Sequence, residues 1–220
     1  MICTNSTFPD DVTKEISPRW KVSCAPPINK RAYKKLSENS FQFHVDVGDV
    51  GGCETDRRSY KDKYIEFQHS ERQELASRKL GIGYYEFSAN ISIKNTGLFS
   101  YRNSIFQIHD DRNKGVPPVM FNRYGGRDGK ANLFRVNHRK IHGLSVPAKP
   151  FDLIVRFEIT KRYVLATYYI DGEQIATSKE KYNNKPYIKI GIYRIMAKSS
   201  VTQTYRNVRL VRIERKRTEE

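Results

Sequence analysis

Alternation with a period of two runs through this chain and sets the class of fold it can adopt. Phe41, Phe43, Val45 and Val47 alternate with Gln42, His44 and Asp46, and Tyr85, Phe87, Ala89, Ile91 and Ile93 alternate with Glu86, Ser88, Asn90 and Ser92. Phe151, Leu153, Val155, Phe157 and Ile159 do the same against Asp152, Arg156 and Glu158. A strand sends successive side chains to opposite faces, so each segment reads as a half-buried antiparallel strand. Asp171-Gly172, between Val164–Ile170 and Glu173–Thr177, is a hairpin signal. No stretch sustains an apolar 3.6-residue period. About a dozen short strands without alternating helices specify an all-β chain, a two-sheet antiparallel β-sandwich of the jelly-roll kind.

At 220 residues the chain reads as one such domain over residues 40–214. Residues 1–39 read as an irregular arm packed on it, because Pro9, Pro18, Pro26 and Pro27 interrupt regular structure, and 215–220 as a charged tail. Hydrophobic residues make up 38%, enough for a core, yet no apolar run approaches the ~20 residues of a spanning helix. The formal charge of +16 favours a polyanionic partner without choosing among nucleic acid, acidic polysaccharide and anionic membrane. Residues 1–20 show no apolar signal core. Cys3, Cys24 and Cys53 form no C-x-x-C pair; they read as three ordinary thiols, with a disulfide between two of them left open.

Three strand-like segments carry chemistry: Glu71-Arg72-Gln73-Glu74-Leu75, Gln107-Ile108-His109, and Tyr187-Ile188-Lys189-Ile190-Gly191-Ile192-Tyr193. In the third, Ile188, Ile190 and Ile192 form one face and Tyr187, Lys189 and Tyr193 the other. Gly191 would leave room for a ligand to approach the backbone. An Arg, a Gln, a His and a Tyr from three strands make a set suited to gripping and deprotonating a carboxylated sugar. Removing a proton α to an ionised carboxylate builds a dianion, so the carboxylate must be neutralised first.

Taken in order, these motifs resemble the three signature strands of the jelly-roll polysaccharide lyases, the group of alginate, glucuronan and heparin lyase I-like enzymes. Phe43-His44-Val45-Asp46-Val47-Gly48-Asp49 followed by Glu71-Arg72 is most similar to the heparin lyase I-like branch. The resemblance covers roughly residues 40–213 and implies a concanavalin A-like jelly roll that cleaves a 4-linked uronic-acid polymer by β-elimination. It implies that Tyr193 handles the C5 proton, the leaving oxygen, or both. Arg72, Gln107 and His109 would bind and neutralise the carboxylate, with His109 the base when C5–H lies on the other face. Tyr187 and Lys189 would be subsite contacts, and Glu74 would orient Arg72. Arg78, Arg123 and Arg194, with Arg127, Arg135 and Arg139, are expected to make the groove basic. Ala76 stands where alginate lyases carry an Arg, and Arg194-Ile195 where they carry Asn-Gln. Glucuronan is therefore the first expected substrate, ahead of alginate and heparin-type chains.

The expected partner is an acidic polysaccharide bound by a monomer, with no nucleic acid and no membrane. The expected setting is extracellular, cell-wall or periplasmic, and no cofactor is expected. A structural calcium at Asp46, Asp49, Glu54 and Asp56 is left open, although the spacing does not match an EF-hand. His138 and His142 read as a polar loop, and Gly125–Lys130 as a turn whose spacing misses the phosphate-loop pattern. The alternative function is a non-catalytic module binding acidic polysaccharide. Hydrolysis would need paired carboxylates, which these motifs do not supply.

Overall fold

A computed structural model describes residues 12–25, 33–48, 52–53, 70–110, 117–137, 139–183, 185–195 and 198–214. The strands are β1 Val12–Glu15, β2 Lys21–Ala25, β3 Lys34–Ser37, β4 Ser40–Val45, β5 Gly52–Cys53, β6 Ser70–Ala76, β7 Gly83–Asn95 and β8 Arg102–His109. They continue as β9 Val119–Tyr124, β10 Leu133–Val136, β11 Arg139–Ser145, β12 Phe151–Ile159, β13 Tyr163–Ile170, β14 Glu173–Lys181, β15 Tyr187–Ile195 and β16 Val201–Glu214. One sheet runs β14-β13-β12-β7-β16-β4-β3 with β1 beside β16, and the other runs β11-β10-β9-β8-β15-β6-β2-β5. Among the described residues every pairing is antiparallel. The chain is thus all-β, a two-sheet jelly-roll sandwich.

The expected alternation becomes the core. Tyr85, Phe87, Ala89 and Ile91 of β7 and Phe151 to Ile159 of β12 face Ile188, Ile190 and Ile192 of β15 and Phe121 of β9 across the sandwich. Phe87 and Phe106 meet with ring centroids 4.8 Å apart. Burying a side chain of this size contributes ~1.5–3 kcal/mol, so the alternate positions hold the sheets together. The Asp171-Gly172 hairpin forms as expected, with both residues at positive φ (49° and 85°), as a turn matched to strand twist requires.

The arm is a correction. Residues 12–37 supply β1, β2 and β3, which add to sheet edges and to β16. Ile16 enters the core and Trp20 packs edge-on against Phe41, 6.2 Å between ring centroids. Pro18 lies between β1 and β2 and Pro26-Pro27 follow β2 in sequence, so these prolines fall outside the short strands instead of excluding them.

Two register shifts decide what the second sheet presents on its outer face. Between β8 and β15 the pairing slips between Ile190 and Tyr193, and between β8 and β9 it slips between Ser104 and Phe106. Ile105 and Phe106, neighbours in sequence, therefore both enter the core. Strict alternation is broken there, and Arg102 and Ser104 come to share a face with Gln107 and His109. The slip leaves backbone groups out of ladder register, and β16 of the opposite sheet satisfies them. Tyr205 Oη donates to the Ile105 carbonyl at 2.6 Å and accepts from the Gly191 N–H at 3.3 Å, while Gln203 Nε2 donates to the Gly191 carbonyl at 3.0 Å.

Candidate active site

Three adjacent strands, β6, β15 and β8, build the site. Register places Arg72 opposite Tyr193, Glu74 opposite Gly191, and Ala76 opposite Lys189. On the other side Tyr187 faces His109, Lys189 faces Gln107, and Tyr193 faces Ser104. Arg72, Glu74, Gln107, His109, Tyr187, Lys189 and Tyr193 thus occupy the outer face of one sheet, opposite the face that Ile188, Ile190 and Ile192 bury.

The face is built around a buried carboxylate. Glu74 Oε1 accepts a hydrogen bond from Gln107 Nε2, and Lys189 Nζ lies 3.9 Å from Glu74 Oε2. Glu74 is 1% exposed, and its carboxylate holds Gln107 and Lys189 in place. Cys24 belongs to this cluster, its Sγ 2.8 Å from Glu74 Oε2 and 3.7 Å from Lys189 Nζ. Cys24 is disulfide-bonded and stands opposite Cys53 in the β2–β5 pair, which corrects the reading of ordinary thiols.

His109 and Tyr187 stack with centroids 5.4 Å apart. His109 Nδ1 lies against the Asp110 carbonyl, with the Tyr187 hydroxyl 3.2 Å away. Only a protonated nitrogen can bond a carbonyl, so this network assigns the proton to Nδ1 and leaves the lone pair on Nε2. Burial, and secondarily the charge of Lys189, lower the His109 pKa below the usual imidazole value. His109 is therefore built to be neutral, with a basic nitrogen free.

Tyr193 lies between two guanidiniums. Arg72 sits over its ring face, 3.8 Å from the centroid, and Arg102 Nη2 donates to its hydroxyl oxygen at 3.2 Å. Arg102 was not among the residues drawn from sequence. Counting alternate positions back from His109 puts it on the opposite face, and only the slip in β8 brings it here.

Three expected groove cations lie elsewhere. Arg194 is fully buried between the sheets, donating to the carbonyls of Val45 and Ser199, in phase with Ile188, Ile190 and Ile192. Arg123 also points inward, in phase with Phe121. It donates to Asn132 Oδ1 at 2.8 Å and to Asn95 Oδ1 of the opposite sheet at 2.6 Å, and stacks 3.7 Å from the Phe99 centroid. Burial pulls its pKa down to about 10. Arg78 follows β6 and lines a cavity of about 400 Å³ with Lys14, Arg19, Tyr85 and Arg212, away from this face. Neither Arg123 nor Arg194 can touch a ligand, because each ties the two sheets together. Arg135 stacks 5.0 Å from the Tyr124 centroid, and Arg127 is exposed in the Gly125–Lys130 turn.

Gly191 has a different reason from the one expected. At φ +124° a Cβ there would come within 2.2 Å of the Gln73 carbonyl oxygen and 2.9 Å of Glu74 Cα. The glycine serves the packing of β15 on β6. The side chains of Arg139, His138 and His142, and three of the four calcium candidates (Asp49, Glu54 and Asp56), lie outside the described residues. Asp46, the fourth, bonds Ser200 Oγ at 2.8 Å and faces His44 Nε2 at 3.0 Å.

No protein-family model and no curated protein matches this sequence. Among solved structures, the fold is similar to alginate lyase AlgAT5 of polysaccharide lyase family 7, with a TM-score of 0.59 and 14% identity over 89% of this chain and 94% of that one. It is similar to the alginate lyase from Corynebacterium sp. (TM-score 0.58, 11% identity, 89% and 94% covered) and to alginate lyase PA1167 from Pseudomonas aeruginosa (0.53, 15%, 86% and 96%). At these identities the likeness is one of fold, and the fold is that of the jelly-roll lyases the three motifs resemble.

Proposed function

We propose that this protein is a polysaccharide lyase that cleaves a 4-linked uronic-acid polymer by β-elimination. The observation that carries the reading is the convergence of Arg72, Gln107, His109 and Tyr193 from three adjacent strands on one sheet face. The fold shared with alginate lyases supports it independently.

In this mechanism the uronate carboxylate enters against Arg72 and the free N–H of Gln107, whose other N–H is held by Glu74. Their positive potential stabilises the dianion that forms when the C5 proton leaves. The proton goes to His109 Nε2 or to Tyr193 Oη, according to the face on which C5–H lies. The C5–H electron pair becomes the C4–C5 double bond as C4–O breaks, and Tyr193 delivers a proton to the departing oxygen. The products are an unsaturated uronate end and a new hydroxyl end, and no water is consumed. Neutralisation rests on protein side chains, so the mechanism assigns no step to a cofactor.

Glucuronan is the first substrate on the departures at Ala76 and Ile195, which are in phase with Lys189 and Tyr193 on the site face. Alginate is its rival, because several of the similar solved structures are alginate lyases, one of them in complex with dimannuronate. We assign the protein to an extracellular, cell-wall or periplasmic setting, acting as a monomer, and the disulfide at Cys24 supports an oxidising compartment.

The test is a screen of glucuronan, alginate, heparin and hyaluronan, read by ultraviolet absorbance of the unsaturated product. Tyr193→Phe removes one oxygen and is expected to lower kcat by at least ~10²-fold with little change in KM. Reducing ends without that absorbance would make the protein a hydrolase, binding without either product would make it a binding module, and a folded Tyr193→Phe enzyme with normal turnover would remove Tyr193 from the mechanism.

A further inference from the structure

We propose that Arg102 is the positioning residue for the proton on Tyr193: its guanidinium fixes the direction of the phenolic O–H and stabilises the phenolate that appears when the proton is transferred. This rests on the reading of Tyr193 as the proton-handling group.

The two guanidiniums beside Tyr193 cannot do the same work. Arg72 lies 3.8 Å from the ring centroid, over the face, where a cation meets the ring quadrupole. Arg102 lies 5.1 Å from the centroid and reaches the hydroxyl end, where Nη2 donates to the oxygen. A guanidinium has no acceptor, so the phenol must spend a lone pair on Arg102 and aim its own hydrogen elsewhere. Arg102 comes from β8 and Arg72 from β6, so they flank β15 from opposite sides. The remaining directions open to the hydrogen lie off the sheet, where a sugar ring would rest.

When Tyr193 gives its proton to the leaving oxygen, negative charge appears on an atom already bonded to a cation. When Tyr193 instead begins as phenolate, the same bond stabilises the charge it carries at the outset, and that charge disappears as the C5 proton arrives. Where Tyr193 begins as the phenol, the donor is in place before the charge develops, so no reorganisation accompanies the step. Half-burial of Arg102 keeps the pair from being screened as a surface contact would be. In the proposed mechanism Arg72 answers the charge of the substrate carboxylate and Arg102 that of the phenolate.

The experiment is a double-mutant cycle between Arg102→Met and Tyr193→Phe, measured on the polymer that gives the unsaturated product. Losing a charge-assisted hydrogen bond made in the transition state should lower kcat by about 10- to 100-fold and leave KM within about twofold. In the Tyr193→Phe background the same change should cost almost nothing, because the oxygen it serves is gone. Arg102→Lys should recover part of the rate. Methylguanidinium added to Arg102→Met should restore turnover where sodium chloride of equal ionic strength does not. Unchanged kcat in Arg102→Met, an equal loss in both backgrounds, or a rise in KM with kcat intact would each overturn the proposal. If Arg102→Met does not fold by circular dichroism, Arg102→Gln is judged by the same criteria. Normal turnover in Tyr193→Phe would instead reject the underlying reading of Tyr193, and is told apart by that single variant.

Discussion

Tyr205→Phe tests the physical basis of the site without touching it. The substitution removes one oxygen from a fully buried ring and leaves its packing against Phe43, 5.6 Å between centroids, intact. That oxygen satisfies the Ile105 carbonyl at 2.6 Å and the Gly191 N–H at 3.3 Å, both at the register slip. Gln203 cannot replace it at the amide, because its Oε1 already accepts from Asn103 Nδ2 at 3.0 Å. Each buried group left unpaired costs ~1–3 kcal/mol, so the pair costs ~2–6 kcal/mol. That is a large part of the ~5–15 kcal/mol that holds a domain folded. For a chain of this length ~1 kcal/mol moves Tm by ~2–4 °C, so thermal unfolding should show a fall of roughly 4–24 °C. Turnover should also fall at temperatures where the variant is fully folded, since the slip sets Arg102 against Tyr193. A Tm within ~2 °C of the parent protein would refute the account of the slip as a structure sustained by Tyr205.

Two further expectations concern charges. His109 must be neutral to act as a base and its pKa is lowered first by burial and then by Lys189, so kcat/KM should hold as pH falls through ~6.5 and decline only below it. Lys189→Met should move that decline upward, and a decline unmoved by Lys189→Met would refute the assignment. The sign for stability is the same: between the unfolded value near ~6.5 and the lower folded value the unfolded chain takes up a proton that the folded one does not. Stability from this group is therefore complete above ~6.5 and falls as pH drops towards the folded value. Arg194→Met should lower stability by about 3 kcal/mol or more, because it orphans the Val45 and Ser199 carbonyls, and should leave KM unchanged once the protein is folded. A raised KM with unchanged Tm would return Arg194 to the binding face.

Much of the fold was legible because period-two alternation is a direct consequence of strand geometry. Phe151 to Ile159, Tyr85 to Ile91 and Ile188 to Ile192 face the core as their spacing requires, and Asp171-Gly172 turns where its residue types permit positive φ. The position of Arg194 was legible too, since it shares the phase of three isoleucines. Arg123 likewise shares the phase of Phe121 and turns inward to Asn95, so the strand face on which an arginine falls, and not its nearness to a motif, decides whether it can reach the groove. The strands β1 to β3 were hidden because prolines that fall between and after strands interrupt the chain without excluding short strands beside them.

What this chain's sequence determined by itself was which residues alternate, and hence the two sheets, their core and the strand faces that carry Arg72, Gln107, His109 and Tyr193. What only the tertiary structure decided was where that alternation breaks. The slip that brings Arg102 to the phenol of Tyr193 depends on Tyr205 and Gln203, which reach across from β16 to satisfy backbone groups in β8 and β15. About 100 residues separate Tyr205 from Ile105. A local pattern reports the intrinsic twofold geometry of one strand, whereas a register shift is stabilised by partners on another strand and has no signature in its own neighbours.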